Sequence, residues 1–196
     1  MSKALLLLAD GAEEMEAVIA ADVLRRAGVE VTIAATGAER EVTASRGVRL
    51  LADALLANVS PADFDALVLP GGAGGARRLA ADAGVLQLVR RFAAAQKTVA
   101  AVCAAPMVLK AAGVLGGVRV TSNPAVRGDL CAGTEERKDG RPVVCDDRVV
   151  EDGSFITSQG PGTTMEFALA IARRLAGAAA ARQVAQGLVL PSGSGW

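Results

Sequence analysis

The chain has no histidine and no tyrosine, and only one of its 196 residues is a tryptophan. Without histidine, no imidazole can activate a nucleophile, so a carboxylate or the backbone must do so in any catalytic site. Aromatic residues make up only 3% of the chain, which argues against platforms for stacking nucleic-acid bases. The formal net charge is zero. We therefore expect neither a nucleic acid nor an anionic membrane as a partner.

Cysteine and long apolar runs are also scarce. Cys103, Cys131 and Cys145 are odd in number, lie far apart and form no CxxC pair. This pattern predicts no disulfide framework and no metal site, and it fits a reducing, cytoplasmic location. No window reaches the roughly 18 apolar residues of a membrane span. The apolar start at Ala4–Ala9 is followed at once by acidic residues, so we interpret it as a strand rather than a signal peptide.

Hydrophobic residues make up 52% of the chain, enough for a folded domain with a sizeable core. Strand-like apolar runs alternate with helical patterns along the sequence. This alternation predicts an α/β sandwich in which helices cover both faces of a mostly parallel sheet. Hairpin strands after residue 140 would form a small antiparallel addition. We expect one domain over residues 1–190 and a flexible Ser/Gly-rich tail over residues 191–196.

Individual elements follow from periodicity and from turn and cap residues. The predicted strands are Ala4–Ala9, Val29–Ala35, Asp65–Leu69, Val99–Val102 and Val118–Thr121, with a hairpin of Glu41–Ala44 and Val48–Leu51. The predicted helices are Glu14–Ala27, Ala83–Gln96, Ala104–Ala112, Thr164–Leu175 and Ala178–Ala185. Thr163 and Glu166 have the spacing of a capping box.

Three predicted strand ends carry unusual residues, and ligands bind beyond the carboxyl ends of parallel strands. An acidic segment over residues 10–16 follows the first strand, Gly71 and Gly72 follow the Asp65–Leu69 strand, and Cys103 ends the Val99–Val102 strand. If these strands are neighbours, a carboxylate, a bare backbone and a thiol meet in one pocket.

Cys103 stands where a buried strand turns directly into a helix. Most free cysteines are small buried hydrophobes, but this corner favours an exposed nucleophile. Unpaired N–H groups at the helix start would stabilise the thiolate. We therefore predict a reactive thiol, more acidic than that of a free cysteine. We interpret Cys131 and Cys145 as structural or incidental.

Glu13, Glu14 and Glu16 cluster at the start of the first predicted helix. Complementing the helix dipole on a solvated face explains two of them. The three cannot share one face of a helix, so at least one is expected to point inward. A buried carboxyl would stay protonated longer than usual and could move a proton to and from the thiol. Periodicity leaves open which glutamate this is.

Gly71 and Gly72 would let a backbone N–H approach a ligand closely, as an oxyanion hole requires. The glycine-rich run lacks the dinucleotide fingerprint and the P-loop lysine, so we expect no nucleotide cofactor. Residues 159–163 are interpreted as a helix start rather than a phosphate site. Arg46, at the predicted hairpin tip, is a candidate anion contact, although a solvated turn residue is the commoner case.

Four motifs in this order resemble the ThiJ/PfpI superfamily, and the resemblance covers nearly the whole chain. The motifs are Gly11-Ala12-Glu13-Glu14-Met15-Glu16, Val68-Leu69-Pro70-Gly71-Gly72, Ala101-Val102-Cys103-Ala104-Ala105-Pro106, and Thr157-Ser158-Gln159-Gly160-Pro161-Gly162-Thr163 followed by Glu166-Phe167-Ala168-Leu169. They are most similar to the branch that holds the Parkinson-disease protein deglycase and its YajL-like relatives.

The resemblance implies a flavodoxin-like fold and a homodimer. It implies that Cys103 is the elbow cysteine, that Glu16 is its protonated partner, and that the amides of Gly72 and Ala104 line the pocket. Arg46 and Arg26 match arginines near the site or the dimer interface.

Activities in such relatives include glyoxalase without glutathione and repair of glycated groups. Redox sensing through a cysteine sulfinate and chaperone activity are also known among them, and isocyanide hydration is known elsewhere in the superfamily. The histidine that follows the cysteine in the protease branch is replaced here by Ala104, which excludes a Cys-His protease. Some glyoxalase-type members have a histidine where this chain has Asn123.

Overall fold

The computed structural model describes residues 1–132 and 140–190. Its main sheet has seven strands and two further strand pairs flank it. The strands are β1 (Lys3–Leu8), β2 (Glu30–Ala35), β3 (Glu41–Thr43), β4 (Arg49–Leu51), β5 (Ala54–Leu55), β6 (Ala66–Leu69), β7 (Thr98–Val102), β8 (Arg119–Val120), β9 (Val143–Val144), β10 (Val149–Asp152) and β11 (Phe155–Ser158). The helices are α1 (Glu14–Arg26), α2 (Ala73–Ala81), α3 (Ala83–Ala94), α4 (Pro106–Ala112), α5 (Arg127–Cys131), α6 (Thr164–Ala176) and α7 (Ala178–Gly187).

The main sheet has the strand order β10-β11-β7-β6-β1-β2-β5. Every neighbouring pair is parallel except β10 and β11, which are antiparallel. The predicted flavodoxin-like α/β sandwich is therefore confirmed. The predicted hairpin at residues 41–51 is also confirmed, because β3 and β4 pair antiparallel.

Helices cover both faces of the sheet because its strands are apolar on both sides. In β1, Leu6 and Leu8 face a core cluster that includes α1 and α6, whereas Leu5 and Leu7 face a second cluster that includes α3 and α4. This alternation is the period of two expected of a strand. Helix α7 packs against α6 in a smaller third cluster.

Helix α2 is absent from the predicted elements, and Gly74 and Gly75 near its start have low helix propensity. These glycines instead let the helix pack closely against the turn after β1. A Cβ on Gly75 would lie 2.7 Å from the Ala12 Cα, so the absence of a side chain there permits the contact.

Three further predictions differ from the structure. Helix α4 begins at Pro106 instead of Ala104, because Ala104 and Ala105 form the turn out of β7. The antiparallel addition is β10 alone, since β9 pairs parallel with β8. The predicted capping box of Thr163 and Glu166 is wrong, because the Thr163 side chain does not cap α6. The Thr163 hydroxyl instead accepts from the Gly160 N–H of the preceding turn, and the Glu166 carboxylate pairs with Arg148.

The predicted tail over residues 191–196 lies outside the described residues. None of the helices in the described part of the chain has both the length and the apolar character needed to cross a bilayer.

Candidate active site

Three adjacent strands bring the predicted site residues to one edge of the sheet. Strand β6 lies between β1 and β7 and is parallel to both. The segments that follow these strands therefore leave the sheet at its carboxyl edge, where ligands bind in such folds. Cys103, the Gly71–Gly72 segment and the first turn of α1 meet there.

Cys103 forms a sharp elbow between β7 and the turn into α4. Its φ is 65°, a left-handed conformation that costs a residue with a Cβ about 1–2 kcal/mol. The Cys103 N–H donates to the Ser158 carbonyl of the neighbouring strand at 2.9 Å, which holds the elbow in place. The side chain is half-buried. This geometry is that of a strained turn that presents a nucleophile.

The backbone N–H groups of Gly72 and Ala104 lie close enough to the Cys103 sulfur to lower the pKa of the thiol. Only glycine suits position 72, because its φ is 81° and a Cβ would lie 2.3 Å from the Gly11 carbonyl oxygen. Position 71 is equally crowded, since a Cβ there would lie 2.6 Å from the Cys103 Cβ. The two glycines thus bring the backbone against the sulfur.

Glu16 is the glutamate that points inward. It is fully buried, and its Oε2 accepts from the Gly71 N–H at 2.7 Å. Its Oε1 is buried without a hydrogen-bond partner of regular geometry among the described residues. Burial raises the pKa of Glu16 to about 7, against the opposing effect of hydrogen bonds from Gly71 and Cys103. Near neutral pH this carboxyl can therefore both give and take a proton.

The same burial also acts on the thiol. Desolvation and the negative charge of Glu16 raise the pKa of Cys103 to about 11, although the Gly72 and Ala104 amides oppose this. The predicted fall in the thiol pKa is therefore wrong, because burial beside a carboxylate outweighs two amide donors. Near neutral pH the thiol therefore keeps its proton, and the Glu16 carboxyl beside it is a group that could accept this proton.

The other two glutamates of the cluster bind the β3–β4 hairpin. The Ser45 hydroxyl lies 2.7 Å from a Glu13 oxygen and 2.8 Å from a Glu14 oxygen, and the Arg46 N–H donates to Glu14 at 2.9 Å. Glu14 is buried, with 8% of its surface exposed. The expectation of a solvated face is therefore wrong for Glu14, because the hairpin covers it.

Neither predicted arginine contacts the sulfur. The Arg46 side chain is exposed and bonds the Ser45 carbonyl within the hairpin turn. Arg26 lies at the last turn of α1 and pairs with Asp22 at 2.6 Å. Ten residues of helix, about 15 Å, separate it from Glu16. A direct anion contact of Arg26 at the site is therefore wrong, whereas the interface role of both arginines stays a prediction.

Asn123 is a site residue that sequence reasoning gave no role. Its Nδ2 lies 3.7 Å from the Cys103 sulfur, and its N–H donates to the Cys103 carbonyl at 2.9 Å. The Asn-Pro pair at 123–124 signals a turn start, and the histidine that some glyoxalase-type relatives have at position 123 was the one signal that this turn meets the elbow.

A cavity lies next to the elbow turn, on the side of α2. A cavity of about 440 Å³ lies beside Ala104, between α2, α4 and α5, although neither Cys103 nor Glu16 lines it. Over residues 1–132 and 140–190, no group of three or more acidic or cysteine side chains is arranged to hold a metal ion. Neither Cys103 nor Cys145 forms a disulfide within the described residues.

Known proteins share both this sequence and this fold. A model of the DJ-1/PfpI family matches residues 2–174. Protein dj-1beta of Drosophila melanogaster is 46% identical over 191 residues, which cover 97% of this chain and 98% of the relative. Its crystal structure matches with a TM-score of 0.90 at 45% identity, covering 97% of this chain and all of that one. The glutathione-independent glyoxalase DJR-1.2 of Caenorhabditis elegans is 35% identical over 176 residues, covering 90% of this chain and 89% of the relative. The chain therefore belongs to the DJ-1/PfpI family.

Proposed function

We propose that the protein is a cofactor-independent cysteine enzyme that converts α-oxoaldehydes such as methylglyoxal, or their glycation adducts, into hydroxyacids. The observation that carries this proposal is the contact between a thiol on a strained elbow and a buried carboxyl whose pKa lies at about 7. A relative named as a glutathione-independent glyoxalase supports the same substrate class.

The first step would be addition of the thiol to the aldehyde carbon. As the C–S bond forms, the Cys103 proton passes to the Glu16 carboxylate. The former carbonyl oxygen becomes an oxyanion, which the Gly72 and Ala104 amides are positioned to stabilise. Glu16 then protonates this oxygen, and the product is a hemithioacetal.

The second step would be an internal redox exchange that needs no cofactor. The Glu16 carboxylate removes the proton from the sulfur-bearing carbon, which gives an enediol, and returns it to the neighbouring carbon that was the ketone. The hydroxyl proton of the sulfur-bearing carbon passes to the neighbouring oxygen. The aldehyde carbon is thereby oxidised to a thioester and the ketone carbon is reduced to an alcohol. Water then cleaves the C–S bond, releasing lactate from methylglyoxal and restoring the thiol.

Lactate formation from methylglyoxal tests this proposal. Wild type should produce lactate at a rate that rises with pH through about 7, because the carboxylate form of Glu16 accepts the thiol proton. Cys103→Ser should lose at least about 100-fold in rate, whereas Cys145→Ser should keep it, since the Cys145 thiol donates to the Val143 carbonyl of its own strand segment. Equal rates for wild type and Cys103→Ser would refute the proposal.

Redox sensing, with or without chaperone activity, is the second candidate, because the donors around Cys103 would also stabilise a sulfinate. Two peroxide molecules would each transfer one oxygen atom to the sulfur and leave as water, giving first a sulfenic and then a sulfinic acid. Intact mass after mild peroxide treatment distinguishes the candidates. Two added oxygens at Cys103, with no lactate formed by the reduced protein, would favour the sensor.

We also propose that the chain forms a homodimer in the cytoplasm. Met15 and Val18 lie one turn apart on α1 and are 53% and 51% exposed, and Val48 of the hairpin beside α1 is 47% exposed. Large exposed apolar side chains that cluster in this way are typical of an interface. A chain with only three cysteines and no CxxC pair fits a reducing compartment.

A further inference from the structure

Asn123 is fixed to the elbow through both its backbone and its side chain. Its N–H donates to the Cys103 carbonyl at 2.9 Å, so the loop after β8 moves with the elbow. Its side-chain Nδ2 lies 3.7 Å from the Cys103 sulfur, within the range of a hydrogen bond to sulfur. The residue is half-buried at the site.

The orientation of the Asn123 carboxamide is fixed by its other end. Its Oδ1 accepts from the Ala125 N–H at 3.0 Å and caps the short turn Pro124–Val126. A flipped carboxamide would place its NH2 group against the Ala125 N–H, leaving two donors facing each other and an acceptor against the sulfur. The cap therefore keeps a donor aimed at Cys103.

We infer that Asn123 is a third hydrogen-bond donor to the Cys103 sulfur, beside the amides of Gly72 and Ala104, and stabilises negative charge there. This charge is largest when the thiol loses its proton and again when the C–S bond of the thioester breaks. A carboxamide does not titrate, so its contribution is present at every pH. The inference rests on the proposed function only in treating Cys103 as the reacting group.

Two variants remove the NH2 donor of Asn123 but keep an oxygen that can cap the turn. Asn123→Ser removes the NH2 group but keeps an oxygen that can accept from the Ala125 N–H. Asn123→Asp keeps the shape and the cap but replaces the donor with a carboxylate oxygen. Glu16, the carboxyl that faces the thiol, and Glu13, whose charge acts on Glu16, are unchanged in both variants.

The thiol pKa is measured from the rate of iodoacetamide alkylation of Cys103 between pH 6 and pH 12, in a background with Cys131 and Cys145 replaced by serine. Loss of a hydrogen bond to a charged group, weakened here by its length, should raise the thiol pKa by about 0.5 to 1 in Asn123→Ser. The added charge in Asn123→Asp should raise the thiol pKa further, so that alkylation of Cys103 at a fixed pH of about 10 is slower than in Asn123→Ser. Lactate formation should fall about three- to tenfold in Asn123→Ser.

A thiol pKa within about 0.2 of the wild-type value in both variants would overturn the inference and leave Asn123 as a turn cap. Urea midpoints confirm that each variant is folded. Alkylation does not depend on turnover, so the two proposals can fail separately. A wild type that forms no lactate, with the thiol pKa still raised in the variants, would refute the glyoxalase proposal and support the donor.

Discussion

Replacing Glu16 with glutamine should stabilise the protein at pH 8 and leave its stability almost unchanged at pH 4. Glu16 is fully buried, and burial raises its pKa from 4.5 to about 7. A carboxyl whose pKa is higher in the folded state favours folding only while it is protonated. The wild type should therefore lose stability as the pH rises from about 4.5 through about 7.

The size of this loss follows from the two pKa values. Each pKa unit corresponds to about 1.36 kcal/mol, so ionising Glu16 in the folded state costs about 3 kcal/mol at pH 8. Glutamine has nearly the same shape, stays neutral, and its side-chain oxygen can still accept from the Gly71 N–H. The variant should therefore be more stable than wild type by about 3 kcal/mol at pH 8, with the difference disappearing toward pH 4.

Urea unfolding at intervals between pH 4 and pH 8.5 measures the difference directly. Glu14→Gln provides the matched control, because it lies in the same turn of α1 and its pKa is shifted in the opposite direction. Burial alone would raise the pKa of Glu14, but hydrogen bonds from the backbone and from Ser45 lower it. Glu14→Gln should be less stable than wild type at pH 7. This difference should shrink as the pH falls, because the wild type then loses the stability that the ionised Glu14 contributes. A constant difference between wild type and Glu16→Gln across the pH range would refute the reasoning.

Two further predictions concern backbone crowding and assembly. Gly72→Ala should cost more than about 3 kcal/mol of stability, because its Cβ would meet a carbonyl oxygen at 2.3 Å. Gly28→Ala has a similar φ of 79° and no atom within 4 Å of its Cβ, so it should cost only about 1–2 kcal/mol. Equal urea midpoints for the two variants would contradict this. Val18→Glu should halve the mass measured by light scattering if α1 lies in the dimer interface. Val143→Glu, whose side chain replaces a valine that is also 51% exposed, should leave the mass unchanged. An unchanged mass for Val18→Glu would place the interface elsewhere.

Much of the fold follows from local sequence patterns. Continuous apolar runs such as Ala66–Leu69 indicate parallel strands buried on both faces, and Gly113 ends α4 with a φ of 77° as a helix cap should. Helix α2 escaped prediction because two glycines near its start serve a long-range contact with Ala12. Local propensity carries no information about such a contact.

The site was predicted less completely than the fold. Sequence position identified Cys103 as an elbow residue, and resemblance selected Glu16 among three glutamates. The sign of the thiol pKa was missed, because it depends on how burial and the Glu16 charge weigh against two amides. The role of Asn123 was missed as well, because its distance from the sulfur is set by how a loop 20 residues along the chain folds back.

The left-handed backbone at Cys103 lowers the stability of the fold, but a side chain at this position is needed to carry the sulfur. Glycine would adopt this conformation without a steric cost and could make the chain more robust, but it would remove the sulfur. Cys103 is therefore a residue that the local backbone disfavours, and contacts elsewhere in the sheet must offset the stability lost at this position. Selection for thermal stability alone would favour glycine over cysteine at this position. A cysteine that persists there would therefore indicate continued selection for the function of the thiol.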